Sequence, residues 1–414
     1  MGEAVQVTAL GGGGGQFTGV SCPSAGNCTA VGFTYTGSYD VHGDAEIGYP
    51  IYERETAGKW GPVRELTIPP GAYSSAGGAS FSSVSCSSAT SCTAVGTGPL
   101  GAEPMFATES GGTFGPANFV TTPTGSGFFA SVSCTSAADC TAVGGDTNEF
   151  FGGWDVYKPI YATESAGTWG TALEIDAPAS GGFFNAVSCP SAPTCTAVGG
   201  QTAVTEAAGS WGTAKKIAND GVSLYGIDCS LSADCTAVGE SSSDAFGTIE
   251  YVSIHVTEKA GVWGSAKADG GGDFSNVSCR SATTCTSVGS FDLCTGVSLC
   301  NSSSVYPVYA SEHAGIWPAV PRPPNIMRVT PLDGRATVAW TVSKVHGGPA
   351  VVGYTAIAVL KTDNGASEFT CVSTRTRCTI AELTDGKTYT ISVIARNAVG
   401  SSVTSSTRRT TPHA

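Results

Sequence analysis

FTGVSCPSAGNCTAVG, residues 17–32, holds two short runs of alternating small, β-branched and aromatic residues around a five-residue segment bounded by Cys22 and Cys28. Period-two alternation on both sides of a turn-sized segment reads as a β-hairpin. A cysteine at each end of so short a loop faces its partner across the two strands, within reach of a disulfide. The pattern returns at 81–96, 129–144, 184–199, 224–239 and 274–289, always ending in Cys-Thr-Ala-Val-Gly or, in the last copy, Cys-Thr-Ser-Val-Gly.

A second segment recurs with it, as YPIYERETAGKWGPVRELTI in the first copy and KPIYATESAGTWGTALEI in the third. Its Ala-Gly or Gly-Gly centre supplies the positive φ of a tight turn, so it reads as another hairpin. The aromatic after the turn (Trp60, Phe114, Trp169, Trp211, Trp263 and Trp317) is placed to pack between neighbouring sheets. Two hairpins make a four-stranded antiparallel unit. Successive first cysteines lie 64, 48, 55, 40 and 50 residues apart, with the variation mostly between the second and third strands. Six such units of roughly 50 residues predict an all-β fold, a six-bladed β-propeller over residues 1–320. The sixth copy runs into the Pro-rich 317–324, which cannot form a fourth strand. Ala4-Val5-Gln6-Val7-Thr8-Ala9-Leu10 resembles one, so the N-terminal strand is expected to close the last blade.

The sixteen cysteines fall into pairs: Cys22 with Cys28, Cys86 with Cys92, Cys134 with Cys140, Cys189 with Cys195, Cys229 with Cys235, Cys279 with Cys285, Cys294 with Cys300 and Cys371 with Cys378. Seven pairs have five intervening residues and one has six, unlike the two to four of most zinc knuckles. They read as disulfides, hence an oxidising, secreted or cell-surface location. A formal charge of −13, with no basic run longer than the pairs Lys215-Lys216 and Arg408-Arg409, argues against a nucleic-acid partner. No apolar run is long enough to span a bilayer. Met1-Gly2-Glu3 does not open a signal peptide, so the chain is expected to start at a mature end or to have lost a leader.

Beyond the linker at 321–324 the pattern changes. Trp340, Tyr354, Leu383 with Tyr389 in a tyrosine-corner arrangement, and the turn around Arg396-Asn397-Ala398-Val399-Gly400 resemble the fibronectin type III family over residues 325–414. The resemblance implies a β-sandwich acting as a spacer or binding unit. The pair Cys371 and Cys378 departs from the usual animal module and resembles modules of secreted bacterial proteins. The near-identical repeats likewise resemble secreted actinobacterial-type proteins.

No catalytic signature is present: no nucleophile elbow, zincin helix, P-loop or EF-hand. No cofactor or metal is expected. His42, His255, His313, His346 and His413 are scattered and read as surface residues. Glu55, Glu109, Glu164, Glu206, Glu258 and Glu312 recur before each Gly turn and read as architectural, accepting hydrogen bonds within their own turn. Residues 163–169 resemble the Asp-box hairpin of sialidase-like propellers, but Ser165 holds the Asp position and the Gly-to-Trp spacing is one residue short.

The non-repeated residues between the second and third strands are the binding candidates, because the scaffold does not require them. They are Tyr35, Asp40, His42 and Asp44 in the first copy, Asp146, Asn148, Trp154 and Asp155 in the third, and Asp244 in the fifth. Aromatics beside carboxylates and amides are what a sugar-binding cleft uses. The expected function is therefore an extracellular binding or adhesion protein whose partner is a glycan or a protein. The alternatives are a glycosidase or polysaccharide lyase using loop carboxylates, or a structural surface component.

Overall fold

The computed structural model describes residues 14–39, 45–68, 78–99, 103–151, 154–177, 182–244, 249–271, 273–292, 305–312, 321, 323–343, 350–362, 365–397, 401–402 and 404–413. They form strands and turns, with no helix long and apolar enough to cross a membrane. Contacts group the chain into two units: residues 1–218 with 224–235 and 259–262, and residues 219–223, 236–258 and 263–414. Each of the first five repeats is one antiparallel sheet, and the sixth shows three strands. The ring closure expected from residues 4–10 and 313–320 falls outside the described residues.

The third repeat shows why this sequence makes this sheet. Gly127–Ser136 pairs with Asp139–Phe151, Val132 opposite Ala142 and Cys134 opposite Cys140. A bulge at Ala130 pushes the Phe128 carbonyl toward Gly144. A Cβ on Gly144 would lie 2.0 Å from that oxygen, and Gly32, Gly96, Gly199 and Gly289 face the same approach at 1.9–2.2 Å. The last glycine of Cys-Thr-Ala-Val-Gly is thus required by backbone proximity.

The same hairpin is stapled in every repeat. Cys22 is bonded to Cys28, Cys86 to Cys92, Cys134 to Cys140, Cys189 to Cys195, Cys229 to Cys235 and Cys279 to Cys285. The bonded Cα atoms are 3.9–4.1 Å apart, a little closer than the usual disulfide span because the two cysteines face each other directly across the strands. In the fifth repeat both Cys229 and Cys235 are buried. The expected bond between Cys294 and Cys300 is a different matter: Cys294 and Cys300 both lie outside the described residues.

The second hairpin turns on Ala166 (φ 50°) and Gly167 (φ 78°), both left-handed as a two-residue hairpin demands. Its fourth strand comes in two pieces. Thr168–Trp169 and Leu173–Glu174 both pair with Trp154–Ser165, separated by a bulge at Thr171-Ala172. Pro62 and Pro116 occupy the corresponding bulges of repeats one and two, where a missing N–H does no harm. The Gly167 amide donates to Ala138 O, and Gly58 and Gly261 make the equivalent bonds, so both turns of a sheet share one end.

Neighbouring sheets are tied at fixed points. The Cys86, Cys134, Cys189 and Cys229 amides donate to the hydroxyls of Ser21, Ser85, Ser133 and Ser188 in the preceding repeat, each at 3.0 Å. The sulfurs of Cys92, Cys140, Cys195 and Cys285 lie 3.5–3.6 Å from Thr29, Thr93, Thr141 and Thr236 Oγ1. Ala117, Ala172 and Ala214 amides donate 2.9 Å bonds back to Thr67, Thr121 and Asp176 O. The turn aromatics fill the gaps as expected: Phe114 meets Tyr52 at 4.9 Å, Trp169 meets Phe106 at 5.3 Å, and Trp211 meets Tyr161 at 5.5 Å. Trp60 is exposed.

Near the C-terminus, strands Ile326–Leu332, Arg335–Trp340 and Arg377–Ile380 form one sheet. Gly365–Ser373, Gly353–Thr362, Tyr389–Arg396 and Arg408–Thr410 form the other. Trp340, Tyr354 and Tyr389 are buried in their shared core. The Tyr389 hydroxyl accepts from the Thr384 amide at 2.9 Å, the corner expected from Leu383 and Tyr389. The disulfide between Cys371 and Cys378 bonds one sheet to the other, with Cα atoms 6.2 Å apart.

Two substitutions test the repeat logic. Gly144→Ala forces a Cβ into backbone and is expected to cost roughly 3 kcal/mol, the upper end for overpacking. Ser133→Ala strands the Cys189 amide and should cost about 1–3 kcal/mol. Urea unfolding of the oxidised chain reads both.

Candidate functional site

The turns and disulfides gather at one end of each sheet, so the connection between second and third strands projects from the other. In repeats one, three and five this connection is a long hairpin, Asn27–Tyr39 with Ala45–Thr56, Asp139–Phe151 with Trp154–Ser165, and Asp234–Asp244 with Ile249–Lys259. In repeats two and four the paired strands are Ser91–Thr97 with Pro104–Ser110 and Thr194–Gly199 with Thr202–Ala207. The stretches expected as variable loops are therefore largely extensions of the sheets, long and short in alternation.

Tyr35 is half-buried, edge-on to Phe33 at 5.4 Å, and its amide donates to Gly14 O. Asp40, His42 and Asp44 lie outside the described residues. Asp146 is fully buried, and its carboxylate accepts from the Thr124 hydroxyl and, at 3.3 Å, from the Thr124 amide. It braces the 122–126 turn rather than facing solvent. Asn148 falls at the register shift between Thr147 and Glu149, while Trp154 pairs with Phe151, Asp155 with Phe150, and Asp244 with Ile249. The hairpins thus place these residues at or near their tips by backbone position.

At the root of the third hairpin stands an aromatic cluster that the sequence reading missed. Phe128, Tyr157 and Phe183 meet pairwise edge-to-face, at 5.6 Å for Phe128–Tyr157, 4.9 Å for Phe128–Phe183 and 5.6 Å for Tyr157–Phe183. All three are partly exposed, and Gly145 admits them because a side chain there would strike Phe183 at 2.9 Å. The signal was present. Each repeat carries one core Phe or Leu at its start, and repeats three and four double it, as Phe128-Phe129 and Phe183-Phe184. The inner Phe129 and Phe184 are buried, and the extra ring is left at the surface.

The recurrent Glu109, Glu164, Glu206, Glu258 and Glu312 are buried, and Glu55 is half-buried. In the third repeat the turn amides are taken by other groups than Glu164, Ala166 N by Asp139 Oδ1 and Gly167 N by Ala138 O. Glu164 stands opposite Cys140 in register and so shares the face that meets the preceding sheet. Glu109 takes an ion pair there, 3.0 Å from Arg54 Nε of the first repeat, while the Arg54 guanidinium also donates to Gly112 O and Ala89 O. In later repeats Thr108, Thr163 and Thr205 hold the Arg54 position. Burial pushes the Glu109, Glu164 and Glu206 carboxyls above the ordinary range, with Arg54 drawing Glu109 back and Asp139 adding to Glu164.

His255, expected at the surface, is 5% exposed, and its Nδ1 lies 2.6 Å from Asp269 Oδ2, itself 4% exposed. Repeats one to three hold Tyr52 with Leu66, Phe106 with Val120, and Tyr161 with Ile175 at these two positions, each pair in one apolar cluster. The fifth repeat has exchanged both members together. Burial raises the Asp269 carboxyl, opposed by the hydrogen bond and charge of His255 and by Lys267. Among the described residues no group of three His, Cys, Asp or Glu could hold a metal ion.

Comparison with known proteins bears most directly on the C-terminal sandwich. Residues 321–411 match the fibronectin type III domain family. No curated protein matches the chain. Among solved structures, polysaccharide lyase Uly1 is similar at 10% identity and TM-score 0.42, covering 92% of each chain. YCF48 bound to D1 peptide is similar at 11% identity and TM-score 0.38, over 69% of this chain and 92% of that one. The FN1–FN3 domains of chicken CNTN1 reach 11% identity and TM-score 0.20, over 52% and 96%. The repeat architecture stands on the chain's own sheets rather than on these likenesses.

The buried pairs yield two expectations. Asp269→Leu or His255→Tyr alone breaks the buried polar pair and should cost roughly 1–3 kcal/mol. The double variant restores the pairing of the earlier repeats and should recover most of that loss, a coupling that urea midpoints measure. Glu164 and Glu206 bind protons more tightly folded than unfolded, so their contribution is complete below the ordinary value of 4.5 and is lost as pH rises through the raised values. Relative to wild type, Glu164→Gln/Glu206→Gln should therefore gain stability on going from pH 4.5 to neutral.

Proposed function

We propose that the chain is an extracytoplasmic binding protein whose six repeats form a closed propeller, with residues 4–10 completing the last blade, and that it binds a glycan at the long hairpins. The observation that carries this reading is the partly exposed Phe128/Tyr157/Phe183 cluster. An apolar patch of edge-to-face rings bordered by polar strands suits a pyranose ring, whose C–H face packs on one aromatic face while its hydroxyls seek oriented partners. Asn148, Trp154 and Asp155 belong to the same hairpin and supply amide, ring and carboxylate. Asp146 contributes by holding the neighbouring turn. Tyr35 beside Phe33, with Asp40, His42 and Asp44 following in sequence, offers an equivalent set in the first repeat, and Asp244 one in the fifth.

The disulfide ladder suits an oxidising compartment, and the fibronectin type III domain suits an extracellular or surface protein. Buried scaffold carboxylates such as Glu164 face neighbouring sheets and serve packing in this reading.

A glycan array with the oxidised full chain tests it. Tyr157→Ala, Phe183→Ala and Trp154→Ala should each lower affinity for the bound glycan about tenfold or more, the loss of roughly 1.4 kcal/mol of stacking. Urea midpoints measured alongside separate lost binding from lost fold. Undiminished binding by all three variants would move the partner elsewhere.

A further inference from the structure

Charge is divided unevenly along the chain. Residues 1–324 carry ten Lys/Arg against 28 Asp/Glu, whereas residues 325–414 carry ten against five. Such a reversal of sign within one chain points to separate partners for its parts. Within the fibronectin type III domain the basic groups are also ordered. Arg328 stands opposite Ala339, and Ala339 opposite Arg377, so the two arginines flank a small residue in one row across three strands. The next row along the same face is Thr330, Thr337 and Thr379, with Thr337 and Thr379 hydroxyls 2.8 Å apart. Alternate residues Ala336, Val338 and Ile380 are buried, which turns this face outward.

Arg328 and Arg377 are exposed, and no carboxylate pairs with either among the described residues. The acidic groups of this sheet's surroundings, Asp333, Glu382 and Asp385, follow turns at its other end, where Asp385 accepts from the Gly334 amide. Two inter-strand steps set the arginine Cα atoms about 9–10 Å apart, close to the length of one disaccharide. Beside the row lies an open groove lined by Arg377, Arg375, Thr376, Ser343 and Tyr354.

We propose that this Arg328/Arg377 face is a docking surface for a carboxylated polysaccharide. Guanidinium groups fork onto carboxylates with two parallel hydrogen bonds. The threonine row offers hydroxyls to those of the sugar, and the spacing engages carboxylates on alternate residues. The acidic repeats repel the same polymer, so its capture falls to this domain. The site is separate from the glycan site proposed on the repeats and does not rest on it.

The test measures binding of the oxidised full chain to immobilised polygalacturonate, to its fully methyl-esterified form and to polyphosphate. Polygalacturonate should bind, weaken steeply with salt and lose at least tenfold in affinity on Arg328→Ser/Arg377→Ser. Arg408→Ser/Arg409→Ser removes the same charge from the other sheet and should leave binding within about twofold. Equal losses from the two pairs would reduce the effect to net charge and overturn the site. Equal binding of the methyl ester, or preference for polyphosphate, would overturn the ligand class. Tyr157→Ala/Phe183→Ala retains polygalacturonate binding whatever becomes of the glycan site on the repeats.

Discussion

A four-stranded sheet built from two hairpins is not stable alone; it must lay both faces against something. The structure depends on how each sheet here meets the next. The serine before the first cysteine accepts a backbone amide from the following repeat, and the threonine after the second cysteine meets that repeat's disulfide sulfur. These are side chain-to-neighbour contacts of fixed length, so they set the step from sheet to sheet as well as its strength. They account for the identity of the residues in Val-Ser-Cys and Cys-Thr-Ala-Val-Gly, beyond their alternation. The disulfide holds the first hairpin's end, the serine and threonine transmit its position, and the glycine lets the bulged strand approach.

Against that uniform background the individual interfaces differ. Between repeats one and two, Arg54 replaces the threonine found later and reaches Glu109 together with two carbonyls of the next sheet's turns. In the fifth repeat a His-Asp pair replaces an aromatic and an aliphatic residue. Buried polar pairs of this kind cost desolvation, and a hydrophobic pair of similar volume is often as stable. Near-identical repeats risk pairing out of order, and a charged group left without its own partner is heavily penalised.

The surface that does not serve the stack is divided between the two ends of the chain. The repeats carry aromatic rings in excess of what the core needs, gathered at the root of the third repeat's long hairpin. The sandwich carries exposed arginines in an ordered row on a sheet whose inner face is Trp340 and its neighbours. Neither set is required for packing.

The hairpins, the disulfide partners of the described repeats, the turn glycines and the sandwich with its tyrosine corner were legible in the residues, because each follows from local periodicity, short spacing or a backbone conformation open to few residue types. The doubled Phe128-Phe129 and Phe183-Phe184 were legible too, but which ring of each pair faces outward depended on the sheets they enter. His255 misled for the same reason: whether a polar residue on an alternating strand meets water or a neighbouring sheet is decided by contacts with residues far away in the chain. Asp146 looked available in a variable segment, and the tertiary fold spent it on Thr124. By itself the sequence determined the repeat, its staples and its charge division, since these live within a few tens of residues. The tertiary structure decided which side chains are left at the surface together, because that requires knowing which faces the stacking of sheets has already covered.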